Sequence, residues 1–525
     1  MSEKKEFLKH TFIYGIGGIL SQLAPFILFP LYTNYLPPDD YGIIDIIDRT
    51  AWLINIVLVV SGIRLATFTF YKQAATEDEK RKVAVTLSVF LWIAVAFAIL
   101  FAHIFAIPLD YFLKTNNSSL LAFGLMTSLM DSLVAIPLAL MQARLESLRF
   151  VLTNMAMLLF RICLCVSLVA WGELGIWGVL IANYITASLF AIMLTIRELH
   201  IGSFTPDFSK IKEVWAFCWP FIPGGLLMFV YSNMDRYFIL EFSNFHTEDA
   251  ALVAYGLYAV GTRLRSIIPL FGASPLRQVW FAKMYNVYKQ PDASIVFGEF
   301  AIRICVVFSL GSLALCIFAK DLVVAVCNPS YFGAVPLIAP LVVAVWFENI
   351  ALQMESTYYI TRTTRYKMWV SAAMLPVTLL FLWIFVPRWN VIGAAYASIC
   401  SSCVSCVINY CVTQRIFRIR YYYAKYVILF GVSAACYFLS LAVGDGISPS
   451  ALSVEQMAEM TKWERIQDIF GRVNYFLILA KAAILLPWMA GIWVTGVISE
   501  SDKSTIRLSV RKAYEFALKM SPIGK

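Results

Sequence analysis

From residue 11 to residue 498 the chain passes through one apolar stretch after another, each about 20 residues or more in length. About 20 apolar residues in a helix cross the hydrocarbon core of a bilayer. In that medium the backbone must satisfy its own hydrogen bonds, so repeated spans of this kind can only be helices or a closed barrel. The runs are far too long for barrel strands, and the expectation is an all-α polytopic membrane protein. Fourteen transmembrane helices can be read, near 11–36, 41–66, 83–107, 119–142, 150–171, 174–195, 214–241, 251–272, 296–319, 333–358, 368–387, 391–412, 423–443 and 473–498. The composition agrees: 60% of residues are hydrophobic, 14% are charged and the mean hydropathy is +0.74. A soluble domain of this length does not carry such a balance.

The charges outside the runs fix an expected orientation. Lysine and arginine gather in the N-terminal tail (Lys4, Lys5, Lys9), after the second run (Lys72, Lys80, Arg81, Lys82), after the twelfth (Arg415, Arg418, Arg420) and in the C-terminal tail. The other even-numbered loops are basic too, while the odd-numbered loops are poor in lysine and arginine, so both termini are expected in the cytoplasm. The basic N-terminus and its long Gly/Pro-containing apolar run read as a retained first span rather than a signal peptide. The longest outer loop, about 444–472, carries the amphipathic stretch EQMAEMTKWERIQDIFG, which reads as an interfacial helix. The net charge of +9 is thus explained by topology, and nucleic-acid binding is not implied. The eleven cysteines fall mostly in apolar runs and the four histidines are scattered. Cys400, Cys403 and Cys406 lack acidic or histidine neighbours and read as packing residues. No metal, nucleotide or hydrolase motif is found, and neither a cofactor nor an enzymatic activity is expected.

The halves echo one another at an offset near 215 residues. Tyr41-Gly42 and Arg49 match Tyr255-Gly256 and Arg263; Asp131 matches Glu348; Arg144 matches Arg362; Gly175-Ile-Trp-Gly178 matches Asn390-Val-Ile-Gly393. Six spans separate the partners, so the copies share one orientation, as in transporters that rock two lobes about a central site. The expected division is a lobe of spans 1–6 (1–205), a lobe of spans 7–12 (206–418), spans 13–14 (419–500) and a cytoplasmic tail (501–525).

Charges inside the spans are the functional candidates. A charged side chain at the bilayer centre costs from about 3 to more than 10 kcal/mol depending on the reference state. Arg49 lies about 12 Å in from the outer end of span 2, with Asp45 one turn before it and Asp48 adjacent. It fits either a cavity arginine gripping phosphate, oriented by Asp45, or an ion pair buried for packing. Arg263 lies about 18 Å into span 8 with no carboxylate within a turn in sequence, which points to a ligand, water or a distant acid. Asp131 and Glu348, near the middle of spans 4 and 10, fit ion or proton coupling, or static partnership with Arg161 or another cation. Asp235 and Arg236 are adjacent in span 7 and about 100° apart on a helix, so separate partners and a structural role are expected. Arg64, Arg303 and Lys481 lie near helix ends and can snorkel. Gly15, Gly17, Gly18, Pro25 and Pro30 crowd span 1, which reads as a gating or a permanently bent helix.

Several stretches carry a family resemblance: LKHTFIYGIGGILSQLAPFILFPLYTNYLPPDDYG at the start, WPFIPGGLLMFVYSNMDRYFIL with Asp235-Arg236, YGLYAVGTRLRSI, and VIGAAYAS at 391–398. Across nearly its whole length the chain resembles the polysaccharide transporter family, the Wzx-type lipid-linked oligosaccharide flippases of the multidrug/oligosaccharidyl-lipid/polysaccharide superfamily. The resemblance implies fourteen helices in two six-helix lobes plus two C-terminal helices, a central cationic cavity and alternating access. It implies transport of a polyprenyl-diphosphate-linked oligosaccharide, an O-antigen or exopolysaccharide repeat unit, across a bacterial inner membrane. Membrane lipid, a coupling ion (H+ or Na+) and other glycan-export proteins are the implied partners. Related peptidoglycan-precursor flippases carry cavity arginines on spans 2 and 8, which Arg49 and Arg263 match. They also carry arginines on span 1, where this sequence has none between Lys9 and Asp48. Two other readings stay open: a cation-coupled multidrug antiporter of the same superfamily, which calls for a more acidic cavity, and a membrane-embedded glycan polymerase or ligase, which calls for a larger outer loop.

Overall fold

Every regular element among the described residues is helical. The computed structural model describes residues 26–59, 62–200, 207, 211–245, 247–270, 280, 283–444, 474–497 and 504. Gly15, Gly17, Gly18 and Pro25 of the first run, the amphipathic outer stretch and the basic C-terminal tail lie outside them. Ten helices are long and apolar enough to cross a membrane among the described residues, or eleven if one bent pair counts as a single span. One of the ten, over Thr364–Ile416, breaks at Asn390, whose φ of 50° and ψ of −130° are not helical, so it holds two of the expected runs. The chain is a multi-pass membrane protein.

The helices fall into two compact units. The first comprises Met1–Gly261, Val326–Ala334 and Ser371–Ser401; the second comprises Thr262–Ala325, Val335–Val370 and Ser402–Lys525. In the first, α1 (26–35) leads into α2 (Pro38–Leu58), followed by α3 (Ile63–Gln73), α4 (Glu77–Ile104), α5 (Ala106–Leu113), α6 (Ser118–Asp131), α7 (Ala135–Ala143), α8 (Ser147–Cys165), α9 (Gly175–His200), α10 (Ile211–Cys218), α11 (Phe221–Phe242) and α12 (Glu248–Arg265). Local chemistry sets the starts. Pro38 opens α2, where its missing N–H costs nothing. Thr76 caps α4 by accepting from Glu79 N at 3.2 Å, and the Glu79 carboxylate accepts from Ala75 N at 2.9 Å, a reciprocal cap that marks where a charged loop becomes a span.

The paired Tyr-Gly dipeptides mark a helix crossing inside the first unit. A Cβ added at Gly256 would sit 1.7 Å from the carbonyl oxygen of Pro38, and one at Gly42 would sit 3.2 Å from Gly256 N and 3.0 Å from the Tyr255 ring. The backbones of α2 and α12 therefore touch, as small residues permit in membrane helices. The two tyrosines serve differently. Tyr41 packs edge-on to Tyr331 and Phe29, each at 6.2 Å, whereas Tyr255 sends its hydroxyl to Asp45.

Two left-handed backbone positions recur near the spacing of the sequence match. Gly175 has φ 54° and Asn390, 215 residues on, has φ 50°; Leu145 has φ 62° and Arg362 has φ 56°. The second pair shifts the match by one residue: the left-handed turn that answers Arg362 is at Leu145, not Arg144. Arg144 instead pairs with buried Glu198 at 2.7 Å and donates to the Tyr71 hydroxyl at 3.0 Å.

In the second unit, the Ala293–Val326 helix carries Asp321, which accepts from Lys481 Nζ at 2.6 Å. Both side chains are almost fully buried, 6% and 4% exposed. The expectation that Lys481 snorkels is thus corrected: an acid within reach makes pairing cheaper than reaching the interface. Arg64 and Arg303 are exposed, donating to Gln142 and Glu299.

Two stability predictions follow from these contacts. Gly256→Ala lowers the melting temperature of the detergent-purified protein more than Gly42→Ala, since the added Cβ falls 1.7 Å from a backbone oxygen at Gly256 but stays 3.2 Å from the nearest backbone atom at Gly42; overpacking of this kind costs about 1–3 kcal/mol. Lys481→Ala strands a buried carboxylate and costs about 3–5 kcal/mol, while Asp321→Leu with Lys481→Met recovers most of it in the same melt.

Candidate functional site

Two polar clusters stand out in the first unit, and α2 contributes to both. Its residues Asp48, Ala51, Trp52 and Asn55 follow the i, i+3, i+4, i+7 spacing of one helix face. Asp45 and Arg49, one turn apart, lie on the neighbouring face with Gly42.

The first cluster joins α2, α11 and α12, and its hub is Asp45. One carboxylate oxygen accepts from Arg49 Nη2 at 3.2 Å. The other accepts from Arg236 Nε at 3.1 Å and from the Tyr255 hydroxyl at 2.6 Å. Arg236 also donates through Nη1 to Asp235 Oδ1 at 3.1 Å and to the Ser232 carbonyl at 3.2 Å, and the Tyr258 hydroxyl donates to the other Asp235 oxygen. Arg236 is 5% exposed, and Tyr255 and Tyr258 are fully buried. Two carboxylates and two guanidinium groups balance, which is what a low-dielectric interior requires. Asp235 and Arg236 were expected to take separate partners. They do reach Tyr258 and Asp45, but they also bind each other, because the long arginine side chain folds back over the turn that a 100° separation would otherwise open.

Asp45 is thus held from two other helices while it holds Arg49. The arginine side chain is 32% exposed, and its Nε is buried without a hydrogen-bond partner. A guanidinium carries five donors, so Arg49 keeps donors for an anion.

The second cluster lies where α6 meets α8 and α9. Between α6 and α7 a short 3-10 turn, Ser132–Val134, interrupts the span immediately after Asp131. Such breaks re-aim side chains. Asp131 accepts from Arg161 Nη2 of α8 at 2.7 Å, Ser132 donates to Asn55 at 2.8 Å and Ser128 donates to Asp48 at 3.0 Å. These groups line a polar cavity of about 370 Å³ wholly within the first unit, with Asn183 of α9 and Trp52 also in its wall.

Of the other candidates, Arg263 is half-buried in the second unit, and Ser266 donates to its backbone carbonyl at 2.6 Å. In the same unit Glu348 lies 3.8 Å from Arg265 and accepts from Ser402 at 3.4 Å. The matched carboxylates Asp131 and Glu348 each meet an arginine, but from non-equivalent helices. Among the described residues no group of three His, Cys, Asp or Glu could hold a metal ion. Sequence reasoning missed the hydroxyls of Tyr255 and Tyr258 and the cavity residues Trp52, Asn55 and Asn183. For Trp52 and Asn55 the signal was present, since they continue the face of Asp48. For Asn183, on a distant helix, there was none.

The polysaccharide biosynthesis protein family matches residues 7–288, more than half of the sequence. The chain belongs to this family. No curated protein matches it at the sequence level. Among solved structures it is similar to the lipid II flippase MurJ in an inward closed conformation, with a TM-score of 0.67 and 11% identity over 92% of this chain and 99% of that one. It is also similar to an inward-facing multidrug resistance MATE transporter of the MOP superfamily, with a TM-score of 0.57 and 12% identity over 75% of this chain and 94% of that one. The bent form of the Vibrio cholerae MATE transporter VcmN gives a TM-score of 0.52 and 15% identity over 79% and 97% of the two chains. The chain therefore shares its fold with these flippase and MATE transporter structures.

The hub makes a measurable claim. In a double-mutant cycle of Asp45→Asn and Arg236→Gln, followed by unfolding in detergent, the two changes couple by about 0.5–3 kcal/mol, as for residues of one network. Additive effects would show that the two residues are not energetically joined.

Proposed function

We propose that this protein is a flippase that moves a polyprenyl-diphosphate-linked oligosaccharide from the inner to the outer leaflet of a bacterial inner membrane, with both termini in the cytoplasm. The observation that carries this reading is Arg49. It sits within an apolar span, steadied by an aspartate that is itself fixed by Arg236 and Tyr255, and it retains unpartnered donor capacity. A guanidinium so held suits a diphosphate, whose oxygens accept charge-assisted hydrogen bonds that are strong where water is scarce. Arg263, the matching position of the second repeat, is the second proposed phosphate ligand. The family match to polysaccharide biosynthesis and the fold shared with a lipid II flippase support a lipid-linked saccharide as cargo.

In this scheme arginine grips the diphosphate, the sugars occupy polar space and the polyprenyl tail stays in lipid. Alternating access then carries the head group across. The energy comes from a coupled ion, H+ or Na+, or from the membrane potential, and Asp131 and Glu348 are the proposed coupling carboxylates. A multidrug antiporter of the same fold would instead carry cations, which Arg49 repels.

The test is a flipping assay in proteoliposomes, using the lipid-linked saccharide that accumulates when the gene is deleted. Arg49→Ala and Arg263→Ala each lower the rate roughly tenfold or more, the worth of one charge-assisted hydrogen bond of about 1.5–3 kcal/mol. Wild-type rates in both variants would remove the phosphate grip.

A further inference from the structure

The cavity of the second cluster has a chemistry that the phosphate grip does not use. We propose that it is a glycosyl subsite, which receives a sugar of the lipid-linked saccharide within the first unit. The proposal rests on the flippase reading for its substrate and deepens it by naming where the sugar, as distinct from the diphosphate, is recognised.

Size is the first argument. At about 370 Å³ the cavity lies near the lower end of the range for small-molecule sites, about 300–1,000 Å³. It exceeds by an order of magnitude the share of a single water, about 30 Å³. That is room for a sugar ring with some water, and far more than a dehydrated ion occupies.

Charge is the second. The wall carries two carboxylates, Asp48 and Asp131, against one guanidinium, Arg161. A phosphate group would face a net negative lining. A resident divalent metal ion would need the acids to converge, yet Arg161 already holds Asp131 and Ser128 already holds Asp48, and among the described residues no metal-binding group of three forms. A neutral ligand that both donates and accepts meets neither objection. Sugar hydroxyls do both.

The third argument is unspent hydrogen-bonding capacity beside an aromatic plate. Asn183 Oδ1 and Arg161 Nε are buried and have no hydrogen-bond partner. Asn55 has its carbonyl oxygen occupied by Ser132, which leaves its amide nitrogen for a ligand. Unsatisfied buried polar atoms are costly and rare, so an unpaired acceptor and an unpaired donor on two residues that line one roomy polar cavity point to a ligand whose arrival lets these side chains complete their hydrogen bonds. Trp52 supplies the apolar surface. Its ring is braced edge-on by Phe229 at 5.4 Å, so an apolar sugar face meets a fixed indole. Few polar groups around an aromatic wall is the composition of a site that orients a ligand by hydrogen bonds and holds it by burial.

The experiment compares binding of two lipids to the full-length protein in detergent: bare undecaprenyl diphosphate, and the lipid-linked saccharide extracted from the deletion strain. Trp52→Ala and Asn183→Ala weaken the saccharide lipid about tenfold or more and leave the bare lipid within about twofold. Trp52→Phe, which keeps a ring, recovers most of the loss. Bare-lipid binding reports that each variant is folded. Arg49→Ala weakens both lipids. Equal losses for the two lipids in the Trp52 and Asn183 variants, or no loss at all, overturn the subsite and leave the flippase reading standing. Failure of the wild type to bind either lipid overturns the flippase reading, and the subsite with it. Tetraphenylphosphonium binding by the wild type that Trp52→Ala abolishes also overturns the subsite, since it makes the cavity a cation site.

Discussion

Where Gly42 and Gly256 meet, no side chain separates α2 from α12, and the rest of the first unit is organised around that contact. Backbone approach this close brings Tyr255 within reach of Asp45, one helical turn away on α2. Once Asp45 is held, Arg49 has a fixed partner and Arg236 of α11 has a second carboxylate to bind. A buried guanidinium in lipid surroundings needs such compensation, because the medium supplies none. The glycines therefore determine whether the charges can be there at all. A bulkier pair would push the helices apart, since an added Cβ at Gly256 would fall 1.7 Å from the Pro38 carbonyl oxygen.

The same helix divides its labour by face. Asp45 and Arg49 look toward the network of α11 and α12, while Asp48, Trp52 and Asn55 line the cavity bounded by α6, α8 and α9. Adjacent residues about 100° apart thus serve chemically opposite sites, one balanced around arginine and one rich in hydrogen-bond acceptors. A single helix positions both, so the proposed phosphate grip and the proposed sugar subsite share one element.

Much of this was legible beforehand, element by element. The long apolar runs required only periodicity and composition, the family resemblance rested on short motifs, and the Gly175/Asn390 pair of the sequence match has left-handed backbone at both positions. The i, i+4 pair of Asp45 and Arg49 could be read because helix geometry is local. Lys481 could not be read correctly. Its partner Asp321 lies 160 residues away, and nothing in either stretch announces the other. Asp235 and Arg236 failed for a different reason, since angular separation of Cα–Cβ bonds does not bound the reach of an arginine.

The sequence alone determined that this chain is helical and membrane-embedded, because a bilayer leaves the backbone one economical solution and apolar length is counted along the chain. It also determined which spans carry charge. Only the tertiary structure decided which charges meet: that Asp45 is shared by Arg49, Arg236 and Tyr255, that Asp131 takes Arg161 while its repeat partner Glu348 lies beside Arg265, and that a polar cavity opens beside Trp52. Those outcomes depend on helix rotation and crossing geometry. Both are set by side chains far apart in sequence that must pack at the same moment, and no local pattern encodes them.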